Sequence, residues 1–249
     1  MNWAHFLLQA NIYLVVFYAF YKLLLDKETF FVLNRIYLVA AGLLSFVLPF
    51  IKVDWFNEQV VTQPVYAGVG HLNQYITEVT TVPAESQYQS FGQALAFLYL
   101  AGLLFFTLKF IYQLLKVKQL LKINARGAAF SFFNKSVIDP QLPELATIQL
   151  HEDVHSRQYH SIDVLFVEVV GIIAWFNPIS YYYKRSLKSI HEYLADEQAA
   201  QYIGDKETYA LLLVSNAFGV PVNSLTNSFF NQPLLKKRIF MLHQQKSTK

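Results

Sequence analysis

WAHFLLQANIYLVVFYAFYKLLL, residues Trp3–Leu25, carries no Lys, Arg, Asp or Glu before Lys22. As a helix it is long enough to cross a hydrocarbon core of about 30 Å, so it reads as a transmembrane span. A cleaved signal peptide fits less well: no basic segment precedes the stretch, bulky Tyr and Phe fill it, and no small-residue cleavage site follows. Two more apolar stretches lie downstream. The first, roughly Phe30–Ile51, has Arg35 near one end and Lys52 at the other, where long side chains can snorkel to the interface. The second, roughly Phe91–Leu115, is uncharged from Ser86 to Leu108 and then meets Lys109, Lys116, Lys118 and Lys122.

The bulk numbers agree with a membrane protein. Of 249 residues, 54% are apolar and only 15% charged, and the mean hydropathy is positive; soluble domains average about 45–50% and about 25%. A net charge of +3 gives no reason to expect direct nucleic-acid binding. The chain has no cysteine, which excludes disulfides, thiolate metal sites and a Cys nucleophile. Any metal site must be built from His and carboxylates.

Lys and Arg flanking the spans set an expected orientation, because such residues are retained on the cytoplasmic side. Lys22, Lys27 and Arg35 lie between the first two spans, and Lys109 to Lys135 follow the third, whereas residues 54–89 contain no Lys or Arg. The N-terminus and the 54–89 loop are therefore expected outside, and everything after residue 116 in the cytoplasm. Downstream, the aromatic and β-branched run from Ala128 to Ile138 reads as a strand or hairpin between Gly127 and Pro140. Leu145–His160 has helical character with no internal Gly or Pro.

Within that helix, His151-Glu152-Asp153-Val154-His155 is an H-E-x-x-H motif. Residues four apart share a helical face, so both imidazoles can reach one ion while Glu152 points at a water in the open coordination position. A catalytic zinc site usually needs a third protein ligand. Gln158 and Ser161 occupy the positions where the metzincin pattern requires Gly and His, which rejects that class. His191-Glu192-Tyr193-Leu194-Ala195-Asp196 offers the alternative, with Glu192 and Asp196 four apart on one face. Glu192 can complete the metal shell, and Asp196 can accept the spare N–H of a ligand histidine and fix its tautomer.

Returning Glu192 to the His pair constrains what lies between. The longest charge-free stretch there, Val169–Tyr183, would make a helix of about 22 Å, short of a full crossing. Pro178 interrupts helical hydrogen bonding. A helical hairpin dipping into the membrane face is expected, with Trp175 and Tyr181–Tyr183 as an aromatic interfacial belt.

H-E-x-x-H followed by E-x-x-A-D, with positions 156–191 between them, is the gluzincin arrangement. Together with Trp175-Phe-Asn-Pro178, Phe130-Ser-Phe-Phe133 and Leu235-Lys-Lys-Arg-Ile239, it resembles the membrane-bound antirepressor peptidases of the BlaR/MecR type. The resemblance implies that zinc is bound by His151, His155 and Glu192. It also implies that Glu152 is the general base of a zinc-dependent endopeptidase acting on a peptide or protein substrate, such as a transcriptional repressor, or on itself. That family often has an aspartate five residues after the second histidine. Here His160 stands at that position and Asp163 three residues later. His160 reads more plainly as a helix-surface or interfacial histidine, with a site role as the alternative. For oxyanion stabilisation, Tyr193 and Arg157 are among the candidates. Sensor relatives cleave themselves in a region comparable to Asn223–Lys237, where Ser228–Phe229 is the bond the resemblance points to and an uncut connector to a further span is the alternative reading.

The organisation expected is mainly α and integral to a bacterial-type plasma membrane. Residues 1–53 form two transmembrane helices with a short cytoplasmic loop, 54–89 an extracytoplasmic loop, 90–116 a third transmembrane helix, and 117–249 a cytoplasmic gluzincin-like zinc peptidase domain. The chain has none of the S-x-x-K, S-D-N or K-T-G elements through which a β-lactam acylates a protein. Relatives of this type usually continue into another span, so either the sequence is a piece of a longer chain or the signal comes from a partner, a second copy included. A CAAX-type membrane protease and a catalytically idle signalling scaffold are the rival expectations.

Overall fold

The computed structural model describes residues 3–51, 88–122, 129–142, 144–218 and 233–247. Most of the expected 54–89 loop, and the expected Ser228–Phe229 bond, lie outside them. The described part is mainly helical.

Among the described residues, three helices are long and apolar enough to cross a membrane. Helix α1 (Trp3–Phe20) continues through a π-helical turn at Tyr21–Leu25, α2 (Phe31–Val47) ends in a 3-10 turn at Leu48–Phe50, and α3 runs Tyr88–Leu120. The 3-10 turn begins where Pro49 can no longer donate to the ladder. A hairpin of β1 (Ala129–Phe132) and β2 (Lys135–Ile138) follows, antiparallel, with Phe130 opposite Val137 and Phe132 opposite Lys135. Then come α4 (Leu145–Arg157), α5 (His160–Ile173), α6 (Pro178–Ile203), α7 (Lys206–Phe218) and α8 (Pro233–His243).

One expected helix is two. Leu145–His160 breaks after Arg157, because Tyr159 adopts a left-handed backbone at φ 54°. The Gln158 and Tyr159 amides close the turn on Val154 and Ser156 carbonyls, and α5 restarts at His160. The break turns His160 back toward α4 instead of leaving it on the surface.

The expected hairpin is formed by α5 and α6. Asn177 caps α6, its Oδ1 accepting from the Ile179 amide at 3.0 Å, with Pro178 preset for the first turn. Its Nδ2 donates to Asn11 Oδ1 of α1 at 2.8 Å, so the tip of the hairpin sits beside an apolar span with its amide satisfied on both sides. At the far end Gly204, at φ 77°, terminates α6. Leu14, Tyr18 and Leu38 of the first two helices share one buried core with Val167, Tyr183, Leu187, Ile190 and Leu194 of α5 and α6. Helix α6, which carries Glu192, is therefore packed directly on the first two apolar helices.

The third apolar helix meets the hairpin through a close approach. A Cβ at Gly102 would lie 2.3 Å from the Trp175 ring, and the Tyr99 hydroxyl donates to the Ile173 carbonyl at 3.2 Å. Gly102→Leu is expected to force Trp175 aside and to cost about 1–3 kcal/mol, as overpacking does. Unfolding in detergent should show that loss and its partial recovery in Gly102→Leu/Trp175→Ala. An unchanged midpoint for Gly102→Leu would mean that α3 does not dock there.

Candidate metal centre

Two helices supply the converging side chains. On α4, His151 and His155 fall four residues apart on one face, and their Nε2 atoms lie 3.2 Å from each other. On α6, Glu192 brings Oε2 to 3.6 Å from His151 Nε2 and Oε1 to 3.7 Å from His155 Nε2. One ligand atom from each of the three residues lies within 4.8 Å of the others. The chemistry of this set fits a cation. Both Nδ1 atoms are engaged elsewhere, so two imidazole lone pairs and a carboxylate face one another across a gap that only a cation or protons would make favourable. Among the described residues it is the only group of three or more His, Cys, Asp or Glu so arranged.

Each histidine is oriented by its own chain of hydrogen bonds, a usual accompaniment of metal ligation. On one side, His151 Nδ1 meets the Tyr209 hydroxyl at 3.0 Å, and that hydroxyl donates to Asp196 Oδ1 at 2.7 Å. Asp196 lies 3.5 Å from His151 Nδ1, with Tyr209 standing between as the shorter link. Arg238 of α8 closes this side, reaching Asp196 through Nε at 2.8 Å and Nη2 at 2.5 Å, and Glu192 Oε2 through Nη1 at 2.9 Å. On the other side, His155 Nδ1 meets His160 Nδ1 at 2.7 Å, and His160 Nε2 meets Gln158 Oε1 at 3.1 Å. The His160 ring stacks on His191 at 4.0 Å, and His191 Nε2 pairs with Asp163 Oδ2 at 2.9 Å.

Burial explains the electrostatics. His155 is held down to about 4 and His160 to about 2, in each case first by loss of solvent and then by neighbouring cations and imidazoles, so both rings are neutral over the physiological range. Burial alone would raise Glu192, but His151 and Arg238 hold its carboxyl down to about 2. Glu152, 9% exposed, moves the other way: loss of solvent raises it, against a hydrogen bond from Ser131 of β1. The carboxylate that faces the two imidazoles is thus kept charged, and the one beside them is made a better proton acceptor.

These groups line a cleft of about 820 Å³. Residues 129–132 of β1, side chains of α4, α5 and α6, and Leu212, Asn216, Leu234 and Arg238 of α7 and α8 line it. Three sequence expectations are corrected. His160 is 3% exposed, a buried partner of His155 and not a surface histidine. Arg35 does not snorkel outward, since its guanidinium is committed to Asp163 and Gln158. Neither expected oxyanion donor lines the cleft: Tyr193 packs in the core, and Arg157 is an exposed residue near Asp153. Tyr209 and Arg238 are there instead; Tyr209 lies in no motif, and Arg238 lies in the Leu235–Ile239 segment that carried the resemblance but no site role.

Fold and site together define the class: a membrane-associated, mainly helical protein with a metallopeptidase-like centre. Residues 139–242 match the family described as BlaR1 peptidase M56. Regulatory protein BlaR1 of Staphylococcus aureus is 29% identical over 120 residues, which are 46% of this chain and 20% of that protein. The two matches support a BlaR1/MecR-type family. No solved structure matches the chain.

Proposed function

We propose that the chain is a membrane-embedded zinc endopeptidase that hydrolyses peptide bonds in a cytoplasmic protein or in itself under the control of a signal. The observation that carries this is the convergence of His151, His155 and Glu192 in an open cleft with Glu152 beside them. A zinc ion held there supplies Lewis-acid polarisation and water activation near neutral pH. Glu152 takes the proton of the attacking water and returns it to the leaving amine. Tyr209 and Asp196 hold His151 in the tautomer that leaves Nε2 free, and Arg238 balances the charge of Glu192 and Asp196. The substrate backbone lies extended along β1, whose pairing with β2 leaves its other edge toward the cleft.

Residues 117–249 form the zinc peptidase domain, and the Lys and Arg flanking the spans favour a cytoplasmic position for it, with the N-terminus outside. Impermeant thiol reagents added to whole cells are expected to label Gly70→Cys and to spare Ala125→Cys. The reverse pattern would place the peptidase outside and remove cytoplasmic repressors as substrates.

Self-cleavage at Ser228–Phe229 is part of the proposal. It is supported by the two described residues Asn216 and Leu234, which line the cleft on either side of that segment in the chain. Mass spectrometry of the purified full chain is expected to find fragments ending there, and none in Glu152→Ala. Fragments that persist in the variant would come from another protease, and an intact wild-type chain would exclude self-cleavage.

A further inference from the structure

Arg35 is a full charge placed in the second turn of an apolar helix, and such residues are costly unless they are paired for a purpose. Its side chain is 20% exposed, and three of its nitrogens are spent on α5 and on the turn before it. Nε donates to Asp163 Oδ2 at 2.6 Å, Nη2 to the Gln158 carbonyl at 2.6 Å, and Nη1 to Gln158 Oε1 at 3.3 Å. The last contact continues inward. Gln158 Oε1 also takes the Nε2 proton of His160, which leaves His160 Nδ1 an acceptor, and that acceptor faces His155 Nδ1 at 2.7 Å. His155 must then carry its proton on Nδ1 and present a bare Nε2 to Glu192 and His151. Every donor in the chain finds one acceptor, so the tautomers follow from the guanidinium inward.

We propose that Arg35 is a positioning residue for the metal ligand His155, acting through Gln158 and His160, so that α2 and the metal centre are mechanically linked. This rests on His155 being a metal ligand. Hydrogen bonds weaken steeply beyond their normal range, so a shift of α2 against α4 loosens Gln158 and releases the His160 ring. His155 is then free to turn or to change tautomer, and the site loses its grip on the ion. Signals reaching the second apolar helix are in this way read as metal affinity.

Titration of the purified full chain with Co²⁺, followed by its visible absorption and by competition with a chelator, tests the link without recourse to activity. Gln158→Leu cuts the chain of hydrogen bonds while leaving the Arg35–Asp163 pair intact, and it is expected to weaken Co²⁺ binding about 10–100-fold, as loss of an outer partner does. Gln158→Glu keeps an acceptor for both neighbours and should hold within about threefold of wild type, whereas a role in packing alone would not separate Glu from Leu. Arg35→Ala should weaken binding similarly, and Arg35→Ala/Gln158→Leu no further, because the two act in one chain. If Arg35→Ala fails to fold, Gln158→Leu against Gln158→Glu decides alone. Wild-type affinity in Gln158→Leu, or losses that add in the double variant, would overturn the proposal while leaving the metal site standing. A wild-type chain that takes up no Co²⁺ would instead remove the metal site, and the proposal with it.

Discussion

Glu152→Ala is expected to keep its zinc and to lose peptide hydrolysis by at least about 10²–10⁴-fold, the range that a positioned general base supplies. Glu152 sits one step round the helix from the face shared by His151 and His155, and it is not one of the three residues whose ligand atoms converge. Its carboxyl is accompanied by Ser131 in a buried position that favours proton uptake. Removing it leaves the donor set untouched. Glu192→Ala is expected to lose both properties, because it deletes the only carboxylate between the imidazoles and leaves Arg238 Nη1 without that partner. Metal analysis of the two purified variants beside a peptidase assay separates the roles. Equal metal loss in both would mean that Glu152 is a ligand; full activity in Glu152→Ala would remove it from the reaction.

Asp196→Ala is expected to have the largest effect on folding. The carboxylate is 2% exposed and receives Arg238 Nε and Nη2 and the Tyr209 hydroxyl. Breaking a buried pair by deleting one partner leaves the other charge uncompensated, at about 3–5 kcal/mol. Arg238 would retain only Glu192, and Tyr209 would lose the acceptor that orients its hydroxyl toward His151. Chemical unfolding in mild detergent should show that loss, with Asp196→Asn intermediate because the amide oxygen still accepts from Tyr209 or Arg238. A loss below about 1 kcal/mol would show that the pair behaves as a solvated surface contact.

What the sequence made legible follows from which interactions are local. The apolar stretches show themselves by composition, and the His pair by a four-residue spacing that any helix converts into a shared face. Pro178 marked the corner of the α5–α6 hairpin by interrupting helical hydrogen bonding, within a charge-free stretch too short to cross. Three features were hidden for physical reasons. Tyr159 is no helix breaker by type, so the left-handed turn that returns His160 to His155 had no signature. Tyr209 and Arg238 reach the site from α7 and α8, distant in sequence; Tyr209 lies in no motif, and the Leu235–Ile239 segment carried a resemblance without a role for Arg238. Arg35 was visible as a charge within an apolar stretch, which is itself a functional signal. Snorkelling accounted for it only because its partners, Gln158 and Asp163, lie more than a hundred residues away.

The most direct measurement is zinc per chain on purified protein, wild type against His151→Ala. A zinc centre built from His151, His155 and Glu192 predicts about one ion per wild-type chain and close to none in the variant. Absence of zinc from the wild type, or equal zinc in the two proteins, would contradict it.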